Sequence, residues 1–450
     1  MKDDQLFHDA LVFFAERWGI IVKKIKPIHL YLALNLLGIT LFIVLNRISN
    51  GYYFEQIFYN LTGDALYDFF VFLNQTSTSA ISFAVGSNPP LVRLIFRFIF
   101  KSLPESTQEL YTTVNLWPNS EYDLRVNAFA FLCFWIMFTF AIVLLAKLCI
   151  ENLEGTSVQK KLFVGLSLLS TGVIWAVERG NIVIWAVVCT MYFCFNYEKT
   201  ERLSREISYL SLGIAISLKI YPVLFCILLL KQKKYKEILK VIVYVIILTV
   251  FPILISGGFD ALFAYIGTLF NQASVSSNLR AGYLNGLSIM LTFSRALGIE
   301  SAYMSNIVFF RILNYVFCIV LSIVVVYLVN KKWIQLTALV FAMFLLPGIT
   351  HTYMLAFVSI PLILFLNEER KMTLQNILAL LGFLLLTTIL PITNGAIVES
   401  LRDPIVVNVA NRLSGIMLIH VLGELILACI IFSEIIKAII KLKKPVKISA

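Results

Sequence analysis

Residues 127–149 read NAFAFLCFWIMFTFAIVLLAKLC, a run of 23 residues whose sole formal charge is Lys147. That length matches the roughly 20 residues a helix needs to cross a hydrocarbon core. The apolar residues are continuous rather than alternating, so a barrel strand, which exchanges its two faces at every second position, is excluded. The pattern recurs along the chain: spans are predicted near 28–46, 127–149, 162–177, 182–196, 208–218, 221–230, 238–256, 305–330, 333–347, 352–366, 373–392 and 413–437. Several are too short to cross alone, so the expected count is about 10–12 transmembrane helices. Of 450 residues 59% are hydrophobic, against roughly 45–50% in soluble domains. The expectation is an all-α, polytopic integral membrane protein with one domain over 1–450.

The polar segments set its orientation. Residues 1–27 open with the mixed-charge, amphipathic MKDDQLFHDALVFFAERW, which lacks the uninterrupted apolar core and cleavage site of a signal peptide. With the N-terminus inside, the cytoplasmic segments, including the basic tail 438–450, hold 25 of the 37 Lys and Arg. That bias places both termini in the cytoplasm of a multi-pass cell-membrane protein. The inner cations are mostly lysine, whereas ten of the remaining 12 are arginine. Arginine is the better fork for phosphate or carboxylate, and the outward excess suggests anion recognition there, interfacial anchoring being the alternative for each single residue. The formal charge of +11 is scattered over short loops, so nucleic acid is not an expected partner. All seven cysteines lie in apolar runs without a CxxC spacing, and neither disulfides nor zinc are expected.

Three outer segments are long: 47–126, 257–304 and 393–412. The first, an extracytoplasmic loop of 80 residues, carries ALYDFFVFL and LVRLIFRFIF, too short to span and predicted as amphipathic helices along the outer leaflet. The second carries GYLNGLSIMLTF, predicted as a re-entrant or surface helix.

On this topology the unusual polar groups share the outer rim. Asp64 and Asp68 stand in GDALYD with Tyr67 between them; Asn88, Pro89 and Pro90 follow. Glu178, Arg179, Gly180 and Asn181 form a turn too short for a loop, and Lys219, Tyr221 and Pro222 join two half-spans. Asn271, Gln272, Ser274 and Arg280 come next, then His351 and Tyr353 in PGITHTY. A lysine within an apolar helix costs roughly 2.5–3.5 kcal/mol on insertion scales, which an anionic ligand offsets. Snorkelling beside Tyr221 is the plainer reading of Lys219, and a structural role that of His351.

The chain has no DxD, GxGxxG, GxxxxGK or HExxH, so nothing supports a metal-bound nucleotide or a zinc hydrolase. Neither cofactor nor metal is expected. A reaction outside the cell without ATP needs a donor already activated, and a sugar on a polyprenyl phosphate fits. Transfer then requires a base for the acceptor hydroxyl, for which Asp64 is the candidate with Asp68 as alternative. It also requires cations for the leaving phosphate, for which Lys219, Arg179 and Arg280 are candidates.

The order GDALYD, NPPL, ERGN, LKIYP, NQASVSSNLR and GITHTYM, from about residue 28 to 366, resembles glycosyltransferase family 87 of the C-type superfamily, which includes polyprenol-phosphate-mannose-dependent mannosyltransferases. The resemblance implies a C-type glycosyltransferase fold and an inverting hexosyl or pentosyl transferase at the extracytoplasmic face. Its implied partners are a polyprenyl-phosphate sugar, a glycolipid or cell-envelope glycan acceptor, and membrane lipids. Residue by residue, Asp64 matches the general base, Lys219 and His351 match positions at the donor phosphate and the active-site wall, and Arg179 and Asn181 match the RGN turn. His351 thereby joins Asp64 and Asp68 as a catalytic candidate. The substrate-binding candidates are Lys219, Arg179, Asn181, Tyr221, Gln272, Arg280, Tyr67 and Tyr353. The chain departs from the family where its late turn keeps only His351 and Tyr353, and where the acid-to-tyrosine spacing is one residue short. A secondary transporter, or a polysaccharide polymerase or ligase using a diphosphate-linked donor, is the competing reading.

Overall fold

A computed structural model describes residues 25–57, 65–76, 89–113, 127–274, 284–347, 350–391 and 415–443. Among these residues every regular element is a helix. The chain enters through α1 (Pro27–Ile48), followed by the short α2 (Tyr52–Ile57), α3 (Tyr67–Gln75), α4 (Pro90–Ser102) and α5 (Glu105–Thr113). Next come α6 (Ala128–Asn152), α7 (Ser157–Leu168), α8 (Thr171–Glu178), α9 (Val183–Asn196) and α10 (Arg202–Leu218). A 3-10 turn (Tyr221–Phe225) runs into α11 (Cys226–Lys231), then α12 (Tyr235–Ser274), α13 (Gly286–Ala296), α14 (Glu300–Ser305), α15 (Ile307–Leu328) and α16 (Lys332–Leu345). A second 3-10 turn (Thr352–Val358) leads to α17 (Ser359–Glu368), α18 (Leu374–Thr387) and α19 (Gly415–Lys443). The protein is an all-α polytopic membrane protein.

Two kinds of helix build it. Four are long and apolar enough to cross a membrane: α1, α6, the first 21 residues of α12, and α15. Only 17–33% of each is buried within the protein, so their outer faces are matched to lipid tails. Shorter helices fill the interior. In α9, Val183, Ile184, Ala186, Val187, Thr190 and Met191 are all buried, and nearly the whole of α16 is as well, as expected of helices apolar on every side.

Local chemistry sets the ends. Asn127 caps α6 by accepting from the amides of Phe129 and Ala130, both at 3.1 Å. Thr156 and Gln159 form a reciprocal capping box that starts α7. The span predicted at 162–177 is broken: α7 and α8 meet at 51°, and Ser170 starts the second helix. The helix predicted to stop near 256 instead continues through a kink at Gly257 and Gly258 to Ser274. Both amphipathic predictions in the first long loop form helices. In α4, Val92, Arg93, Phe96 and Phe100 make the buried face while Phe98 is exposed, and the helix packs on α3 and α12.

The lysine-rich helix ends are fastened to one another. Glu369 accepts from Lys331 at 2.6 Å, from Trp333 Nε1 at 3.0 Å and from Asn376 at 2.9 Å, tying the starts of α16 and α18 to the end of α17. Glu198 pairs with Lys332, whose ammonium also lies 4.8 Å from the Tyr197 ring centroid. Glu154 pairs with Arg370 at 2.5 Å. The seven cysteines are free thiols.

Candidate active site

At the opposite helix ends, the ERGN turn organises the polar groups. Helix α8 closes with a Schellman motif: the Gly180 amide donates to Val177 O at 2.9 Å and the Asn181 amide to Ala176 O at 2.8 Å. The motif requires Gly180 at φ +63°. A Cβ there would also lie 2.8 Å from Phe69 Cβ, so glycine is required twice over. Through this close approach the segment before α3 docks on the turn. The Leu66 amide donates to Glu178 O at 2.6 Å and the Asp68 amide to Arg179 O at 2.9 Å. Leu66 itself adopts φ +57°, a left-handed conformation held by those contacts.

Side chains complete the dock. Arg179 Nη2 donates to Asp68 Oδ1 at 2.9 Å, and Asn181 Nδ2 donates to Asp68 Oδ2 at 2.5 Å. The Asn181 carbonyl accepts from the Val183 amide at 2.9 Å, which fixes its NH2 toward Asp68 and starts α9. The guanidinium of Arg179 lies 5.2 Å from the Tyr67 ring centroid. Asp68 and Arg179 are 14% and 13% exposed, a mostly buried pair with both carboxylate oxygens engaged.

Lys219 is placed by a break. Helix α10 ends at Leu218, Lys219 is extended at φ −148° and ψ 123°, and Pro222 sits in the 3-10 turn that follows. Its ammonium is 6.0 Å from the Tyr353 ring centroid, and that ring lies 5.2 Å from the His351 ring at 34°. The Lys219 amide donates to Ala215 O at 2.9 Å; among the described residues its ammonium makes no hydrogen bond or ion pair, and the carboxylate whose charge acts on it is Asp68. Tyr221 is half-buried and its hydroxyl lies within electrostatic reach of Tyr315 on α15.

The two clusters are joined through Gly172. A Cβ at that position would lie 2.3 Å from Ala356 N and 2.6 Å from Leu355 C, so α8 and the His351 turn meet backbone to backbone. The Leu284 amide donates to Thr350 O at 3.1 Å, bringing the segment before α13 to the same turn.

The structure therefore assembles Tyr67, Asp68, Arg179 and Asn181 in one cluster and Lys219, His351 and Tyr353 in its neighbour. Asp64 and Arg280 lie outside the described residues, as does the side chain of Gln272. Arg179, expected as a phosphate cation, is occupied with Asp68. Sequence reading passed over Gly172, whose only signal is a small residue where α8 begins. Among the described residues no three His, Cys, Asp or Glu side chains gather in a metal-binding group. Chemically, the arrangement offers an ammonium with unspent donors beside aromatic walls, in a partly buried setting where an anion gains more than in water.

The sequence model of glycosyltransferase family 87 matches residues 116–359, which contain Arg179, Asn181, Lys219, His351 and Tyr353. Asp64 and Asp68 precede the matched stretch, and Asp68 is bound to it by Arg179 and Asn181. No curated protein and no solved structure matches the chain.

Proposed function

Since the chain belongs to glycosyltransferase family 87 and is a membrane glycosyltransferase, we propose that it moves a sugar from a polyprenyl phosphate to a glycolipid or cell-envelope glycan at the extracytoplasmic face. The observation that carries this reading is Lys219, a half-buried ammonium free of hydrogen bonds and ion pairs among the described residues, beside Tyr353 and within the field of Asp68. A phosphate supplies the anion that such a lysine lacks. The clustering of lysines at the other helix ends supports an outward-facing site.

In the proposed reaction the Asp64 carboxylate takes the proton of the acceptor hydroxyl as its oxygen attacks the anomeric carbon. The bond from that carbon to the phosphate oxygen breaks, the electron pair leaves with the polyprenyl phosphate, and the configuration inverts. Lys219 neutralises the departing phosphate, and His351 and Tyr353 wall the site. Asp68, held by Arg179 and Asn181, fixes the start of α3, four positions after Asp64 in the sequence.

The test is sugar transfer by the purified full chain from a panel of polyprenyl-phosphate sugars. Asp64→Asn is expected to lower turnover by about 10²–10⁴-fold, the worth of a positioned base, without loss of thermal stability. Lys219→Ala is expected to raise the KM for donor more than that for acceptor. Near wild-type turnover in a folded Asp64→Asn protein sinks the assignment of the base, and consumption of diphosphate-linked donors alone sinks the donor class.

A further inference from the structure

A cavity of about 290 Å³ opens between α13, α15, α16 and α19, and none of its lining residues belongs to the Asp68 or Lys219 cluster. Its volume is roughly ten times a water molecule's share of the liquid. Its walls are apolar, with Phe293, Phe317, Phe341 and Phe432 among them, and two polar side chains reach it, Asn314 and Glu424. Asn314 is already engaged: its Nδ2 donates to Leu345 O at 2.8 Å, and its Oδ1 accepts from the Cys318 thiol at 3.7 Å. Glu424 is not. It is 7% exposed, and its Oε1 is buried without a hydrogen-bond partner.

We propose that this cavity binds a long-chain alcohol, alkyl or isoprenyl, drawn sideways from the bilayer, with its hydroxyl hydrogen-bonded to the Glu424 carboxyl. The mouth supports lateral entry, because Phe293, Phe317 and Phe432 keep 50%, 45% and 42% of their surface exposed, and Phe317 lies on α15, a helix long and apolar enough to cross a membrane. The wall formed by α19 runs from Val421 to Phe432, about 16 Å at the helical rise per residue, the scale of a hydrocarbon chain rather than of a compact solute.

The polar chemistry selects the head group. A buried oxygen without a partner is the exception in folded proteins and marks a missing donor. In an apolar wall the neutral carboxyl is the less costly form, and an alcohol, with one O–H donor and an acceptor oxygen, hydrogen-bonds it without adding a charge. An ammonium could pair with the carboxylate, but both charges would then have to leave water for an apolar wall, a cost that often exceeds their attraction. A phosphate brings its own negative charge to a carboxyl in a cavity with no Lys, Arg or His among its described lining residues, so the proposed sugar donor is not the occupant. The proposal stands independently of the transfer reaction.

Photo-crosslinking of the full chain in nanodiscs tests it with three probes of equal chain length, each bearing a diazirine: an alcohol, an alkane and an alkyl phosphate. The alcohol is expected to label peptides from α13, α15 or α19 about three- to tenfold more than the alkane, the worth of one hydrogen bond. Glu424→Leu should reduce it to the alkane level, whereas Glu424→Gln, which keeps an acceptor, should retain most of the labelling. Leu425→Trp, placed at the mouth with Glu424 intact, should block it as well and serves where the Leu variant fails to fold. Equal labelling by alcohol and alkane, undiminished labelling of Glu424→Leu, or preferential labelling by the phosphate overturns the proposal.

Discussion

At the scale of single residues, the site turns on a carboxylate held between a guanidinium and a carboxamide. Removing Asp68 takes the 2.9 Å ion pair from a mostly buried Arg179, and Asp68→Ala is expected to cost about 3 kcal/mol. Asp68→Asn sets an NH2 against either Arg179 or the NH2 of Asn181, so it too should lower the thermal midpoint together with turnover. Asp64→Asn should lower turnover alone. A double-mutant cycle of Asp68→Ala with Arg179→Ala, read by thermal unfolding in detergent, should return a coupling of about 1–3 kcal/mol; a value near zero denies the pair its positioning role. The sequence displayed both aspartates and the RGN turn, but not which touches which. Asp68 and Arg179 are 111 positions apart, and the spacing that made Asp68 an alternative base carries no information about the partners of its oxygens. Lys219, by contrast, was legible, because a lysine between two short apolar segments is costly wherever the fold puts it.

At the scale of elements, three glycines separate what a helix requires from what its neighbours require. Gly172→Ala forces a methyl into the backbone of Ala356 and is expected to destabilise by about 1–3 kcal/mol, the range for overpacking, with the His351 turn displaced. Gly180→Ala meets Phe69 and also forces a left-handed conformation, so it should cost at least as much. Gly165 sits inside α7, where a Cβ meets nothing within 4 Å, and Gly165→Ala should be neutral or stabilise by about 0.5–1 kcal/mol. Thermal midpoints of the three variants check the order. Equal behaviour of Gly165→Ala and Gly172→Ala contradicts the backbone contact. The same elements show what escaped the sequence. The break between α7 and α8 has no proline to announce it, only Ser170, Thr171 and Gly172, whereas the Gly257 and Gly258 pair signalled a stop at what proved a kink.

At the scale of the whole molecule, the lysine-rich end is a set of ionic fasteners. Burial alone pushes the Glu369 carboxyl up, but the hydrogen bond and charge of Lys331, with Trp333 and Asn376, outweigh it, and the net shift is downward. A depressed carboxylate stabilises the fold above its unfolded range and loses that contribution as pH falls through the folded value. Glu198 is lowered in the same way, its burial outweighed chiefly by Lys332. Thermal stability is therefore expected to decline as pH drops below about 4. Glu369→Gln should flatten part of that decline while lowering stability at neutral pH. An unchanged acid profile in Glu369→Gln shows that other carboxylates govern it. Composition and periodicity had already revealed the helical membrane class and most helix positions, because a hydrocarbon solvent leaves few alternatives. They did not reveal which short helices are sheathed by the long ones, since an interior α9 and a lipid-facing α15 are equally apolar. The dock of Asp68 on the ERGN turn also imposes a sequence of events during synthesis. Asp68 leaves the ribosome 111 residues before Arg179, an interval of roughly 6–22 s at ordinary elongation rates. For that time Asp68 lacks both of its side-chain partners, while Phe69 beside it already has Phe96, Phe134 and Phe138 to pack against, so apolar packing is available to α3 before its polar contacts are.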